Sequence, residues 1–170
     1  MSGRKSAGNA AKRIVKDALF AAIALVIFVV EAQIPPLVPI PGVKLGLANI
    51  VTVWVLMRVG AKDAFGVMLT RVVIGGIFSG RIVFSLAGGL FSFLAVLILK
   101  RFITDRQIFV AGVVGAIFHN AGQLAAAVVI YRSPSVLVYA PVLVLSAVAT
   151  GLLTGLTAQF LAQRLRVPGE

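Results

Sequence analysis

Three ionisable side chains stand within or at the edge of long apolar runs: Glu31, Arg71 and His119. An arginine or aspartate midway along a membrane helix costs about 2.5–3.5 kcal/mol on insertion scales, so such groups imply partners and, by default, a function. Lys44, Asn49, Asn120 and Gln123 add an ammonium and three amides that could share a ligand with them. His119 and Gln123 are four residues apart, on one helix face, with Asn120 adjacent. The chemistry this set can do is recognition. A guanidinium, an ammonium and amides suit a small anionic or carbonyl-bearing molecule. Two plainer explanations compete: Arg71 and Glu31 can neutralise each other, and a lone histidine is more often a hydrogen-bonded packing residue than a ligand.

Other chemistries fail for want of residues. The chain has no cysteine, which excludes disulfides, thiolate metal sites and cysteine nucleophiles. It has no GxxxxGK[ST] phosphate loop. Its acids, Asp17, Glu31, Asp63, Asp105 and Glu170, are dispersed, whereas a carboxylate-held magnesium site needs them clustered. A Ser–His–Asp arrangement lacks an acid at the right depth, and one histidine cannot build a zinc site without cysteine. The expectation is a binding protein, not an enzyme, with no catalytic residue, metal or cofactor.

These groups need a frame. The chain is 60% hydrophobic and 12% charged, with mean hydropathy +1.07. A soluble domain carries about 25% charged residues, so the polar surface here cannot coat a globule and the solvent is a bilayer. The net charge of +11 lies mostly at the ends of apolar runs. No basic face interleaved with aromatics appears, which argues against nucleic acid. The N-terminus imitates a signal peptide, but Glu31 within Val30-Glu31-Ala32 and the later apolar spans favour a retained anchor.

The expected fold is all-α: a basic cytoplasmic tail over 1–16, disordered or lying on the membrane surface, then one domain over 17–166. That domain is an integral membrane bundle of six transmembrane helices over 18–34, 45–59, 64–79, 82–99, 108–131 and 136–161. One side of the membrane collects Arg4 to Lys16, Arg58 and Lys62, Lys100 to Arg106, and Arg164 and Arg166. The other side has Lys44, Arg81 and Arg132. By the positive-inside rule both termini are cytoplasmic, in a multi-pass protein of a bacterial-type cell (inner) membrane. Glu31, Asn49, Arg71, His119, Asn120 and Gln123 then fall in the middle to outer half. Pro35, Pro36, Pro39 and Pro41 stiffen the connector between the first two spans, which is expected to lid a pocket there. Ala18, Ala21 and Ala22 form a small-residue face that could receive a helix of this chain or of a partner. Gly76 with Gly80, Gly112 with Ala116, and the row Ala147, Gly151 and Gly155 predict close helix packing.

The stretches PGVKLGLANIVTVWVL (41–56), RVVIGGIFSG (71–80) and FHNAGQLAAA (118–127) resemble the Gx transporter family. Its members are often labelled heptaprenyl diphosphate synthase component I. The family in turn is similar to the S components of energy-coupling factor (ECF) transporters. The resemblance implies an S-component-like bundle that captures a vitamin-like molecule at the outer face, with the first loop as lid. It implies a transmembrane coupling protein with ATPase subunits as partner, docked on Ala18, Ala21 and Ala22. The label implies a different role, an accessory subunit of prenyl diphosphate synthesis. The aspartate-rich motifs of the known prenyl synthases are not in this sequence.

Overall fold

The computed structural model describes residues 2–34 and 45–165, with side chains from residue 11 onward. The proline connector and Lys44 lie outside the described residues. Among them the fold is all-helical: α1 Ser2–Ala32, α2 Asn49–Arg58, α3 Ala61–Phe78, α4 Ile82–Leu99, α5 Ile108–Tyr131 and α6 Ala140–Arg164. Two 3₁₀ turns, Asp105–Gln107 and Pro134–Tyr139, lead into α5 and α6.

Three segments are long and apolar enough to cross a bilayer: Ile82–Leu99, Asp105–Tyr131 and Pro134–Arg164, with mean hydropathies of 2.6, 1.7 and 2.3 over an 18-residue window of each. Their outward side chains are apolar, as in Leu94 (55% exposed), Leu145 (72%) and Phe160 (58%). A surface of that kind suits lipid rather than water. α3 carries Lys62, Asp63 and Arg71, and α2 has only ten residues. Ten residues reach about 15 Å, half of a hydrocarbon core of about 30 Å.

α2 is nonetheless the centre of the molecule. Thr52, Val53, Trp54, Val55 and Leu56 are all buried, because α1, α3, α5 and α6 pack around it. Phe20 of α1 meets Trp54 edge to face, with ring centroids 5.5 Å apart. Met68 and Val72 of α3, Phe93 and Val96 of α4, and Ala158 and Ala162 of α6 complete this core.

Several boundaries differ from the sequence expectation, each for a local reason. The helix expected from residue 45 begins at Asn49, because Gly46 takes φ +72° and turns the chain. α1 is continuous from Ser2, where a disordered or surface-lying tail was expected to Lys16. Ala7, Ala10, Ala11, Lys12 and Arg13 are strong helix formers and extend the span that follows. The run expected from residue 136 starts as a 3₁₀ turn, with α6 proper beginning at Ala140.

The glycine row on α6 packs as its spacing predicts. A Cβ on Gly151 would lie 2.6 Å from Val113 Cα and 3.1 Å from Ala116 Cβ, and one on Gly112 would strike the Gly155 backbone. Gly80 is different: it packs against nothing within 4 Å and instead ends α3 at φ +65°. Gly80 N–H donates to Ile77 O and Arg81 N–H to Gly76 O, the Schellman pattern that satisfies orphan carbonyls.

The basic end of the bundle is fastened by charge. Arg13 of α1 bonds Asp63 of α3 at 2.7 Å, and Arg58 of α2 reaches Asp105 at 3.2 Å. Lys100 Nζ donates to Leu56 O at 2.6 Å, placing a cation at the C-terminal end of α2. Asp63 is buried, which by itself pushes its carboxyl up. The bond and charge of Arg13 outweigh this and hold it below the ordinary carboxylate value. Asp17, one turn further along α1 from Arg13, is pushed up, first by burial and then by the Asp63 charge.

Candidate functional site

At the end opposite these ion pairs, all six helices and the turn before α2 enclose a pocket of about 780 Å³. Phe28 and Glu31 come from the last turns of α1, Leu45 and Gly46 from the turn, and Asn49 from the first position of α2. α3 gives Arg71 and Gly75, α4 gives Ser85, α5 gives His119, Asn120 and Gln123, and α6 gives Thr150 and Thr154. The fold thus gathers Glu31, Asn49, Arg71, His119, Asn120 and Gln123, six residues singled out in the sequence, around one cavity. Lys44, the seventh, lies outside the described residues.

Glu31 fastens the pocket rim. Its Oε1 accepts the Gly46 N–H at 2.7 Å, and Gly46 O accepts the Asn49 N–H at 2.8 Å. The end of α1 therefore fixes the start of α2. The direct Glu31–Arg71 neutralisation weighed above does not form: among the described residues the ion pairs within 4.0 Å are Arg13–Asp63 and Arg58–Asp105. Arg71 Nε is buried and has no hydrogen-bond partner.

On the facing wall, Gln123 Nε2 and His119 Nε2 are 3.2 Å apart. With the glutamine amide donating, the imidazole accepts at Nε2 and carries its proton at Nδ1. Gly88 of α4 makes room for the pair: a Cβ there would sit 2.8 Å from His119 O and 2.9 Å from both Gln123 Cγ and His119 Cε1. Asn120 Nδ2 donates to Leu143 O at 2.9 Å and ties α5 to α6. Thr150 and Thr154 donate their hydroxyl protons to Ser146 O (2.8 Å) and Gly151 O (3.3 Å), which leaves oxygen lone pairs for an incoming donor.

A smaller hollow of about 260 Å³ lies toward the core and shares Asn49 and Arg71 with the pocket. Thr52 and Ser92 line it; both are buried, and Thr52 Oγ1 has no partner. Gly115 keeps this region open, since a Cβ there would meet Ser92 Oγ at 3.2 Å and Asn49 Nδ2 at 3.6 Å. Among the described residues no three His, Cys, Asp or Glu side chains cluster as metal ligands would. Among the described residues the site offers donors, acceptors and one guanidinium, partly buried and without an ion pair. That is equipment for binding.

Sequence reasoning missed Phe28, Ser85, Thr150 and Thr154, and the deeper Thr52 and Ser92. The hydroxyls of Thr150 and Thr154 bond their own helix, and neutral groups of that kind leave little trace in an apolar run. The four-residue spacing of Thr150 and Thr154, beside the Gly151–Gly155 row, was the available signal. The alanines expected at a docking face divide. Ala18 and Ala22 are exposed, while Ala21 is 6% exposed and turns inward with Ala24. At about 100° per residue Ala21 lies about 60° round the helix from Ala18, on the flank that turns into the bundle.

Comparison with known proteins adds a family. No curated protein and no solved structure matches the chain. A family model described as heptaprenyl diphosphate synthase component I matches residues 20–161. This span holds every pocket residue described above and all three stretches that carry the resemblance. The chain therefore belongs to the heptaprenyl diphosphate synthase component I family.

Proposed function

We propose that this protein is the substrate-binding membrane subunit of an ATP-driven importer of the energy-coupling factor type. It would work as an S-component-like bundle of six spans with both termini in the cytoplasm. Its cargo is a small vitamin-like or cofactor-related molecule taken at the outer face of the cell membrane. One observation carries this reading: six polar residues from α1, α2, α3 and α5 converge on one pocket, and the guanidinium of Arg71 stands there without an ion pair. A partly buried cation with no ion pair and an unpartnered Nε is costly to keep. A bound ligand that offers a carboxylate, phosphate or carbonyl oxygen would compensate it. The chain has no nucleotide-hydrolysing motif, so the energy comes from partner ATPase subunits through a coupling protein, with the exposed row of Ala18 and Ala22 as the contact. The role is binding, not catalysis.

The test is mass spectrometry of the small molecule that stays with the protein after gentle purification, repeated on Arg71→Gln. A single polar compound present in the wild type and lost in the variant supports capture. Empty protein, with no thermal shift from any vitamin-like compound, refutes it.

The family description favours a second reading, a non-catalytic membrane subunit of a polyprenyl (heptaprenyl) diphosphate synthase. That reading requires co-purification with a soluble prenyl synthase and a change in its product formation. Unchanged kinetics on adding this chain would end it.

A further inference from the structure

Next to the polar pocket, with Gln123 as their shared wall, lies a second cavity of different chemistry, about 770 Å³ with its open mouth included. Its lower wall is apolar, built by Leu124 and Ala127 of α5, Val136 of the second 3₁₀ turn and Leu143 of α6. Its mouth is aromatic and cationic. Phe84 stacks on Tyr131 with centroids 6.2 Å apart, and the Arg81 guanidinium lies 5.6 Å over the Phe84 ring. Tyr131 and Tyr139 are 64% and 46% exposed, so the cavity opens on the outside of the bundle.

These mouth residues sit at one level: Arg81 precedes α4, Tyr131 ends α5 and Tyr139 precedes α6, and Arg132 follows Tyr131 just outside the cavity lining. Tyrosine and arginine at helix ends with hydrocarbon side chains below them match the layering of a membrane, headgroup above and acyl chain beneath. The charge at the mouth is one-sided. Among the described residues Arg81 and Arg132 enter no ion pair; Asp17, Asp63 and Asp105 stand at the opposite end of the bundle, and Glu31, the described acid at this end, lines the polar pocket and not this cavity.

We propose that this cavity is a site for one anionic phospholipid, with an acyl chain between α5 and α6 and the phosphate against Arg81. A cleft facing the bilayer and lined mostly by apolar side chains takes a lipid chain at little desolvation cost, Gln123 being the polar side chain of its wall. The unpaired cations select a headgroup of net negative charge over a zwitterionic one. Because Gln123 walls both cavities, an occupying chain buttresses the His119–Gln123 pair from behind. The lipid thus becomes part of the frame of the polar pocket.

The test is native mass spectrometry of the delipidated full-length chain in detergent, titrated separately with phosphatidylglycerol, phosphatidylcholine of the same acyl chains, and farnesyl diphosphate. One phosphatidylglycerol should stay bound in preference to phosphatidylcholine. Arg81→Gln should weaken it about fivefold, from the roughly 1 kcal/mol that each basic side chain contributes near an anionic lipid. Ala127→Phe fills the cavity and should abolish retention. Val136→Phe fills it from the other wall and serves if the first variant does not fold, as judged by its thermal melt. Equal retention of the two phospholipids, indifference to Arg81→Gln, or retention unchanged in a folded cavity-filling variant would each overturn the proposal. Farnesyl diphosphate binding more tightly than phosphatidylglycerol would also overturn it and give the cavity to a prenyl ligand.

Discussion

The carboxylate of Glu31 accepts the backbone N–H of Gly46 at 2.7 Å, so the last turn of α1 holds the turn from which α2 starts. Gly46 has φ +72°, a conformation with little support of its own for a side-chain-bearing residue, and the bond fixes it above the pocket. A charge-assisted bond of this kind contributes about 1.5–3 kcal/mol. Glu31→Ala should lower stability by that order, while Glu31→Gln keeps an acceptor oxygen and should lose clearly less. Thermal unfolding of the two variants in the same detergent decides it; equal losses would mean that charge, not the bond, is what matters.

Gly88 sits under His119 and Gln123 with no space for a methyl group. A Cβ there meets the His119 carbonyl at 2.8 Å, and a backbone atom cannot swing aside. Gly88→Ala should therefore push α4 from α5, costing about 1–3 kcal/mol as overpacking does, and disturb the pocket wall. Gly66 in α3 is the control, since nothing lies within 4 Å of a Cβ built on it. Gly66→Ala should be neutral or add up to about 1 kcal/mol through helix propensity. Unfolding of both variants in parallel provides the check, and a Gly88→Ala protein as stable as Gly66→Ala would refute the close-packing account.

The sequence disclosed what depends on short-range pattern. α4 and α5 occupy the expected residues because each is a long, mainly apolar run that stops at a basic residue, α4 between Arg81 and Lys100 and α5 ending at Arg132. Ionisable groups in such runs are conspicuous because they are expensive, so Glu31, Arg71 and His119 stood out before any fold was known. What stayed hidden depends on partners distant in the chain. The start of α2 is set by Glu31, fifteen residues away. The continuous α1 is tied by Arg13 to Asp63, fifty residues away. Thr150 and Thr154 are silent because their hydroxyls satisfy themselves on their own helix.

Arg71 sets function against stability. Its Nε is buried without a partner, and Glu31 stays beyond ion-pair distance. Replacing it with Met removes an uncompensated charge and its desolvation cost while keeping a flexible apolar side chain. Arg71→Met should unfold at the same or higher temperature than the wild type yet retain none of the co-purifying small molecule. A variant that melts much lower would show that Arg71 has a structural partner, and one that keeps the ligand would remove Arg71 from the site.

The carboxylates at the basic end predict opposite pH responses. Asp63 is held below its ordinary value of 3.8 by Arg13. It therefore contributes stability that is complete above its unfolded value and is lost as pH falls through the lower folded one. Asp17 is raised above 3.8 by burial and by the Asp63 charge, and its buried Oδ1 has no hydrogen-bond partner. A raised acid favours folding below its unfolded value and opposes it once pH climbs through the folded one. At pH 7 Asp17→Asn should then melt above the wild type, with the advantage shrinking toward zero as pH drops to about 4, where the wild-type carboxyl also becomes neutral. Asp63→Asn should melt below the wild type at pH 7, because Arg13 loses its ion pair, and that deficit should narrow only below about pH 4. Melting curves of the three proteins across pH 3.5 to 7.5 carry the comparison. If Asp17→Asn is destabilising at pH 7, the carboxylate is held by a favourable contact and the assignment of sign at this end of the bundle is reversed.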